Sequence, residues 1–499
     1  MWSTIPLMAR VLQRQSDTNG LLQQLDAWSG GGGPLYQRLA AALRTAIARG
    51  DLPIGELLPP ERVLARQLAV SRTTIATAYA LLCDEELLER RQGSGTRVRS
   101  APPQRGGGLP GTLNRNTLFR RMTDRHGGTI DLTGAYLLEP GGLPDTVLEG
   151  VYDEMAPLAE TSGYSPLGYA PLREAIGAHL SARGVPTSAE QVLVTSGAQQ
   201  AIYLGAWLYL QRGDTALVEN PTYPGALDAL TAVGARLVGV RTGRHGPDVS
   251  ALAEHIVHAS PRLMYLIPSY QNPVGGVLGE PSRRALASLV QQHQVPLLED
   301  DSLSGLSIIG EPPPPVAAFA PQGPILTAGS LSKLFWAGLR VGWIRAPEPV
   351  IAQLGRLKAV ADLGGSLPGQ VIASRLLGAY DDIRRTRRPI IAQRLELATG
   401  LLAEFLPDWS WATPQGGLCL WVRLPYGSAT EFAQIALRAG VSIVAGSVAS
   451  SDGSFDDHIR LPFGHRPEML EEGIRRLARA WQSYAPAEEP RAQSLAVIV

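Results

Sequence analysis

The sequence predicts a multidomain chain: a small, mainly α unit ahead of a large α/β unit. Three observations carry this. Two Gly/Pro-rich stretches, 30–34 (GGGGP) and 100–111 (SAPPQRGGGLPG), enclose a compact segment. Inside that segment apolar residues recur at helical spacing. From about residue 126 onward, short β-rich apolar runs alternate with helical patterns, as in a largely parallel sheet. The 499 residues suffice for roughly three domains. The chain divides into an N-terminal extension (1–33), the small unit (34–99), a linker (100–125), the large unit with its subdomains (126–485) and a tail (486–499).

Composition narrows the function classes. With 44% hydrophobic and 18% charged residues, the chain can bury sizeable cores, which excludes general disorder. Lys+Arg and Asp+Glu are both 45, so the protein is not uniformly basic, although a local nucleic-acid site stays possible. Two cysteines, Cys83 and Cys419, cannot make a disulfide framework or a Cys-rich zinc site, and no metal is expected. The longest apolar run, 202–210, is too short to span a bilayer. Arg10 and Arg14 interrupt the N-terminal apolar stretch, which does not read as a signal peptide. A soluble cytoplasmic protein with no membrane partner is the expectation. Of the 45 basic residues only Lys333 and Lys358 are lysine. A position that keeps Lys against such a bias needs a primary amine or survives by chance.

In the small unit, Leu35, Leu39, Leu43 and Ile47 define a first helix, ended by Gly50 and Pro53. Pro60-Glu61 opens a second, with Val63, Leu64 and Leu68 apolar. Ser71 is a good N-cap for a third, whose buried stripe is Ile75, Ala78, Tyr79 and Leu82. Residues 87–91 and 96–98 flank Gln92-Gly93-Ser94-Gly95 and read as a hairpin with a Gly-rich tip. Three helices and a hairpin are the order of a winged helix-turn-helix. Residues 34–99 hold ten Arg and seven acids, a net of +3 in a neutral chain. The start of the third helix, Ser71-Arg72-Thr73-Thr74, suits phosphate and base-edge contacts. A solvated Arg face on an interaction domain explains the charge equally.

In the large unit, apolar runs at 192–195, 215–219, 236–240, 263–268, 295–299 and 325–328 read as strands. Ligands of such sheets sit at the carboxyl ends of strands. Unusual polar residues fall there. Ser196, Gly197 and Ala198 open a helix whose free N–H groups suit an anion, or simply form a cap. Asn272 could donate to a phenolate-like oxygen or shape a turn. Asp300 and Asp301 could protonate a pyridine nitrogen, bind metal or cap a helix. Ser330, Ser332, Lys333 and Arg340 lie within eleven residues. An anion cradle, a buried carboxylate, a donor and a lysine together suit a phosphate-bearing pyridine aldehyde.

Two resemblances then sharpen the reading. Residues 34–99, through LPPER, SRTT and RRQGSGT, resemble the GntR-family DNA-binding domain. That resemblance implies that Arg62, Ser71, Arg72, Thr73, Thr74 and the wing residues Gln92, Gly93, Ser94 and Gly95 face double-stranded DNA. Ala76 stands where some relatives carry a further DNA-contacting Arg. Roughly the last three-quarters of the chain, through YSPLGYAPLREAI, TSGAQQAI, ENPTYPG, YQNPVGG, LLEDDS, GSLSKLFWAGLRVGW, PQGGLCLWV and IRLPFG, resembles the fold-type I aminotransferases. The implied cofactor is pyridoxal 5'-phosphate. By that resemblance Lys333 carries its Schiff base, Asp300 its ring nitrogen, Asn272 its ring oxygen, and Tyr223 stacks on the ring. Ser196, Gly197, Ala198, Ser330, Ser332 and Arg340 hold the phosphate. Tyr164 reaches the phosphate of a neighbouring subunit, which implies a homodimer, and Arg460 takes a substrate carboxylate. Relatives carry a Tyr as DDY or DxxY in the acidic strand end. Here the run is DDSLS, leaving Asn272 alone or with Ser302 or Tyr270 as substitute, and this bears on turnover more than on cofactor binding.

The combination resembles the MocR-type transcriptional regulators. It implies a promoter- or operator-binding regulator that senses pyridoxal phosphate, an amine or an amino acid. The same residues serve a working aminotransferase with an appended DNA-binding domain. A DNA-binding structural protein with a dead enzyme domain is the third reading. Lys358, in a helical pattern, is expected to be solvated.

Overall fold

The computed structural model describes Leu25, Trp28 and residues 34–48, 51–52, 54–91, 95–99, 128–138 and 145–484. The expected linker and tail, most of the N-terminal extension, and Gln92, Gly93 and Ser94 lie outside the described residues.

The small unit begins with α1 (Leu35–Ala48), followed by β1 (Leu57–Leu58), α2 (Glu61–Gln67), α3 (Arg72–Asp84), β2 (Leu88–Arg91) and β3 (Gly95–Val98). Leu39, Leu43, Ile47, Leu64, Ile75 and Leu82 are fully buried together, so the helical stripes close on one core. Ser71 caps α3, its Oγ accepting from the Thr74 N–H at 3.1 Å, which stabilises the helix start by about 1 kcal/mol. The two-residue β1, too short to be read from sequence, pairs antiparallel with β3 and extends the hairpin to three strands.

The large unit starts with β4 (Ile130–Asp131) and continues through β5 (Val192–Thr195), α4 (Ala198–Tyr209), β6 (Thr215–Asn220), β7 (Arg236–Gly243), β8 (Gly246–Pro247), β9 (Leu263–Leu266), β10 (Leu297–Asp300), β11 (Ile325–Ser330), β12 (Gly342–Arg345) and α5 (Glu348–Asp362). The main sheet has the order β5-β12-β11-β10-β9-β6-β7-β8. Strands β11, β10, β9, β6 and β7 run parallel. The uninterrupted apolar runs of β6, β9, β10 and β11 follow from burial on both faces, whereas β7 is only partly buried. β12 runs antiparallel to both β11 and β5. Neither this strand nor its reversal is among the runs read from the sequence, and it matters: the start of β12 lies at the same sheet end as the carboxyl termini of its neighbours.

The C-terminal subdomain comprises β13 (Ser410–Trp411), β14 (Cys419–Arg423), α6 (Ala429–Arg438), β15 (Val441–Ser442), β16 (Val444–Ala445), β17 (His458–Pro462) and α7 (Pro467–Gln482). Strands β13, β14, β17 and β16 form an antiparallel sheet in that order. Phe432, Trp409 and Trp481 pack edge to face beside it. β4 pairs in parallel with β15, so the segment that follows the linker is built into this subdomain.

Candidate functional site

Asp300 ends β10 and is buried. It accepts from the Tyr265 hydroxyl at 2.8 Å and from the Ser302 N–H at 3.0 Å. Burial pushes its pKa up, and the hydrogen bonds from Ser302 and Tyr265 oppose that. Lys333 follows β11 by three residues, and its Nζ donates to the Ala135 carbonyl at 2.8 Å. Burial lowers its pKa to about 8; the Arg460 charge adds to this, while Cys419 and Asp300 oppose it. Arg460, on β17, is 5% exposed. Its Nε donates to Asn272 Oδ1 at 3.0 Å and its Nη1 to the Thr133 carbonyl at 2.9 Å. Asn272, Lys333, Ala135, Leu303, Tyr270 and Cys419 line one cavity. The structure thus brings together Asp300, Lys333, Asn272 and Arg460 from four separate parts of the chain.

A second cluster adjoins the first. Gly197 is the N-cap of α4 at φ +117°, a conformation that L side chains rarely adopt. A Cβ there would lie 3.3 Å from an Arg340 guanidinium nitrogen, so glycine lets the cation stand at the helix N-terminus. Ala198 is the first residue of α4, and Ser196 is half-buried beside them. Ser330 ends β11, and its Oγ accepts from the Ser332 N–H at 3.2 Å. The Ser332 Oγ is buried and has no hydrogen-bond partner. An orphaned hydroxyl beside a helix N-terminus and an arginine suits an anionic group. Tyr223 is the half-buried N-cap of the helix Pro224–Ala232. Tyr164 is 71% exposed. Tyr270 lies in the field of Glu311 and Arg388, with burial pushing its pKa to about 12.

Lys358 requires a correction. It is 1% exposed, not solvated, and its Nζ meets Asp362 Oδ1 at 2.6 Å one turn along α5. The pairing compensates the desolvation of the amine, which helical periodicity alone could not reveal.

In the small unit Arg62, Arg72 and Thr73 are exposed, at the start of α2 and α3. Arg72 Nε lies 3.3 Å from Glu61, which also takes Arg90 of β2 at 2.9 Å. Such solvent-facing pairs are weak, so both arginines can exchange partners. Ser71 and Thr74 are occupied with each other, their hydroxyls 2.8 Å apart at the cap. Gly95 opens β3 at φ +85°.

Family comparison agrees with this geometry. The family described as bacterial regulatory proteins, gntR family, matches residues 35–98, and aminotransferase class I and II matches residues 140–477. The chain belongs to the MocR-type branch of the GntR family. It is 30% identical over 466 residues to the uncharacterized HTH-type transcriptional regulator YisV of Bacillus subtilis, covering 89% of this chain and 95% of that protein. It is 30% identical over 399 residues to the probable rhizopine catabolism regulatory protein MocR of Rhizobium meliloti, covering 75% and 78%. Among solved structures, the α-aminoadipate aminotransferase LysN of Thermus thermophilus, complexed with N-(5'-phosphopyridoxyl)-L-leucine, superposes with a TM-score of 0.67 at 30% identity, covering 71% of this chain and 92% of that one. The Pyrococcus horikoshii kynurenine aminotransferase gives 0.66 at 27%, covering 74% and 95%. This MocR-type chain therefore joins a GntR DNA-binding domain to a fold-type I aminotransferase domain. The cofactor that the family implies is pyridoxal 5'-phosphate, and the residues present fit it: an anion cradle with an unpaired hydroxyl, a buried carboxylate and an amine with a lowered pKa. Among the described residues no helix is long and apolar enough to cross a membrane.

Four contributors were not anticipated. Tyr265, fully buried on β9, orients Asp300; a lone Tyr inside an apolar strand was its only signal. Cys419 of β14 lines the cavity beside Lys333. The carbonyls of Thr133 and Ala135 act through the backbone, which leaves no residue-type signal.

Proposed function

We propose that this chain is a DNA-binding transcription regulator whose aminotransferase-like domain senses pyridoxal 5'-phosphate together with an amine or amino-acid effector. Lys333 would hold the cofactor covalently. Asp300, steadied by Tyr265, would bond its ring nitrogen, and Asn272 its ring oxygen. Tyr223 would stack on the ring. Ser196, Gly197, Ala198, Ser330, Ser332 and Arg340 would hold the phosphate. When bound, the cofactor supplies an aldehyde that reacts reversibly with primary amines. Arg460 would take an effector carboxylate through its planar fork. Arg62, Arg72 and Thr73 would meet DNA, with Ser71 and Thr74 fixing the helix start and the wing, Gln92 to Gly95, reaching the duplex. In a cytoplasmic homodimer, the exposed Tyr164 would reach the partner's phosphate site, and segments 1–33, 100–125 and 486–499 would serve as extension, linker and tail.

The observation that carries this reading is a single one. The chain that presents Arg72 and Thr73 outward also brings Lys333 and Asn272 to one cavity, with Arg460 bonded to Asn272 and Lys333 in the field of Asp300 and Arg460. Fluorescence anisotropy with DNA from its own upstream region, at fixed salt and with a panel of amines and amino acids, tests it. A regulator shows DNA affinity that depends on the small molecule and little keto-acid formation. Multiple-turnover keto-acid formation without any effect on DNA affinity promotes the aminotransferase reading instead.

A further inference from the structure

We propose that residues 129–138 form a strap that couples effector binding to the docking of the DNA-reading unit; this rests on the regulator reading above. The strap's carbonyls are held by the two cations assigned to effector and cofactor. Lys333 Nζ donates to the Ala135 carbonyl at 2.8 Å, and Arg460 Nη1 to the Thr133 carbonyl at 2.9 Å. A carboxylate arriving at the Arg460 fork competes with Thr133 and Asn272 for the same guanidinium. Lys333 engaged by the cofactor releases Ala135, so in the loaded protein the Arg460 tie is the one an effector carboxylate contests. A ligand of the pocket and the docked strap therefore draw on the same donors, and that competition is the differential affinity a switch requires.

The other edge of the strap leads to the small unit. The Ile130 N–H bonds the Gly440 carbonyl at 2.9 Å and the Leu132 N–H bonds the Ser442 carbonyl at 2.9 Å. Arg476 Nη1 clamps the Gly128 carbonyl at 3.1 Å and the Gly440 carbonyl at 3.0 Å. Two residues before Gly440, at the end of α6, Arg438 Nη1 donates to the Leu68 carbonyl at 3.2 Å. Leu68 is the C-cap of α2, where a cation meets the negative end of a helix favourably. α2 carries Arg62 and precedes the recognition helix by one turn. A short contiguous route thus runs from Arg460 and Lys333 through 133–135, 130–132 and 440 to Arg438 and α2. While these bonds stand, the strap is docked and the DNA-reading unit is held; ligand binding frees the strap and loosens the hold.

Amide hydrogen exchange on the cofactor-free full-length protein tests this, with N-(5'-phosphopyridoxyl)-L-leucine as the probe because it fills the cofactor site and brings a carboxylate without turning over. Binding is followed separately by calorimetry. Exchange at Ile130 and Leu132 should rise about tenfold with the probe, the weight of one hydrogen bond from a charged group. Amides at 68–70 should respond in parallel. In Arg438→Ala the amides at 68–70 should exchange fast with or without probe, while the strap still responds. Binding of the probe with unchanged exchange at 130, 132 and 68–70 overturns the coupling and leaves the regulator reading standing. Absence of binding overturns the pocket assignment and the coupling with it. A strap response without any response at 68–70 in the wild type overturns the link to α2.

Discussion

Cofactor-free protein mixed with pyridoxal 5'-phosphate should capture it at a rate that titrates with a midpoint near 8. The cause is Lys333, whose pKa falls from 10.5 to about 8 through burial first and the Arg460 charge second. Only the neutral amine attacks an aldehyde. At pH about 7.5 roughly a quarter of the amines are then neutral, against about one in a thousand for an unperturbed lysine, a gain of a few hundredfold. Stopped-flow absorbance from about pH 6 to about pH 10 measures the profile. Arg460→Gln removes a like charge and should move the midpoint upward. Capture at neutral pH then slows by up to about tenfold for each pH step of about one that the midpoint climbs. The same depression has a stability sign. Unfolded Lys333 binds its proton up to about 10.5 and folded Lys333 only to about 8, so the penalty is full below about 8 and disappears as pH rises past 10.5. Cofactor-free Lys333→Met should therefore melt above wild type at neutral pH. A rate still climbing at pH 10, or a midpoint indifferent to Arg460→Gln, refutes the reasoning.

Borohydride reduction of the cofactor-loaded protein should label the peptide of Lys333 and not that of Lys358, which is buried against Asp362; peptide mapping decides, and label at Lys358 removes the assignment. Arg72→Ala should weaken specific DNA binding by about 1–3 kcal/mol at fixed salt and relax preference at one position per half-site, and unchanged binding removes Arg72 from the interface. Glu219 is fully buried, and burial raises its carboxyl to about 8 despite hydrogen bonds from the Ile267 N–H and the Thr242 hydroxyl. Folded protein keeps that proton up to about 8 and unfolded protein only to about 4.5, so stability falls as pH rises between them, by at most about 5 kcal/mol. Urea melts of Glu219→Gln should show a flatter pH dependence over that window, and an identical slope would contradict it.

Strand positions were legible because burial on both faces demands uninterrupted apolar runs, and residues 192–195 and 325–328 show this directly. Where a run ends in Asp300 or in Ser330 through Lys333, the change from apolar to polar marks the ligand-facing end of the sheet. Strand direction was not legible. Gly342–Arg345 is short and ends in a charged residue, so it does not stand out as a strand, and only pairing shows that it runs backwards. Backbone acceptors such as Thr133 and Ala135 are invisible to any reading by residue type. Lys358 misled because a helical pattern cannot report what the opposite side of the helix meets. Tyr265 was hidden for the reverse reason: its ring satisfies the apolar pattern while its hydroxyl does polar work.

The charge balance of the pocket bears on which small molecule the proposed sensor would take. Arg460 and Arg340 both act against protonated Lys333, while Asp300 acts in its favour. The acceptors in direct contact with Lys333 and Arg460 are neutral: the Ala135 carbonyl, the Thr133 carbonyl and the Asn272 amide oxygen. A cofactor phosphate answers the charge at Arg340, and a carboxylate answers the charge at Arg460. A simple amine answers neither and leaves the bonds from Arg460 to Thr133 and Asn272 in place. On this reasoning an amino acid would act on the strap through Arg460 as well as Lys333, whereas an amine of equal reactivity would act through Lys333 alone and shift the equilibrium less, because its affinity differs less between the two arrangements.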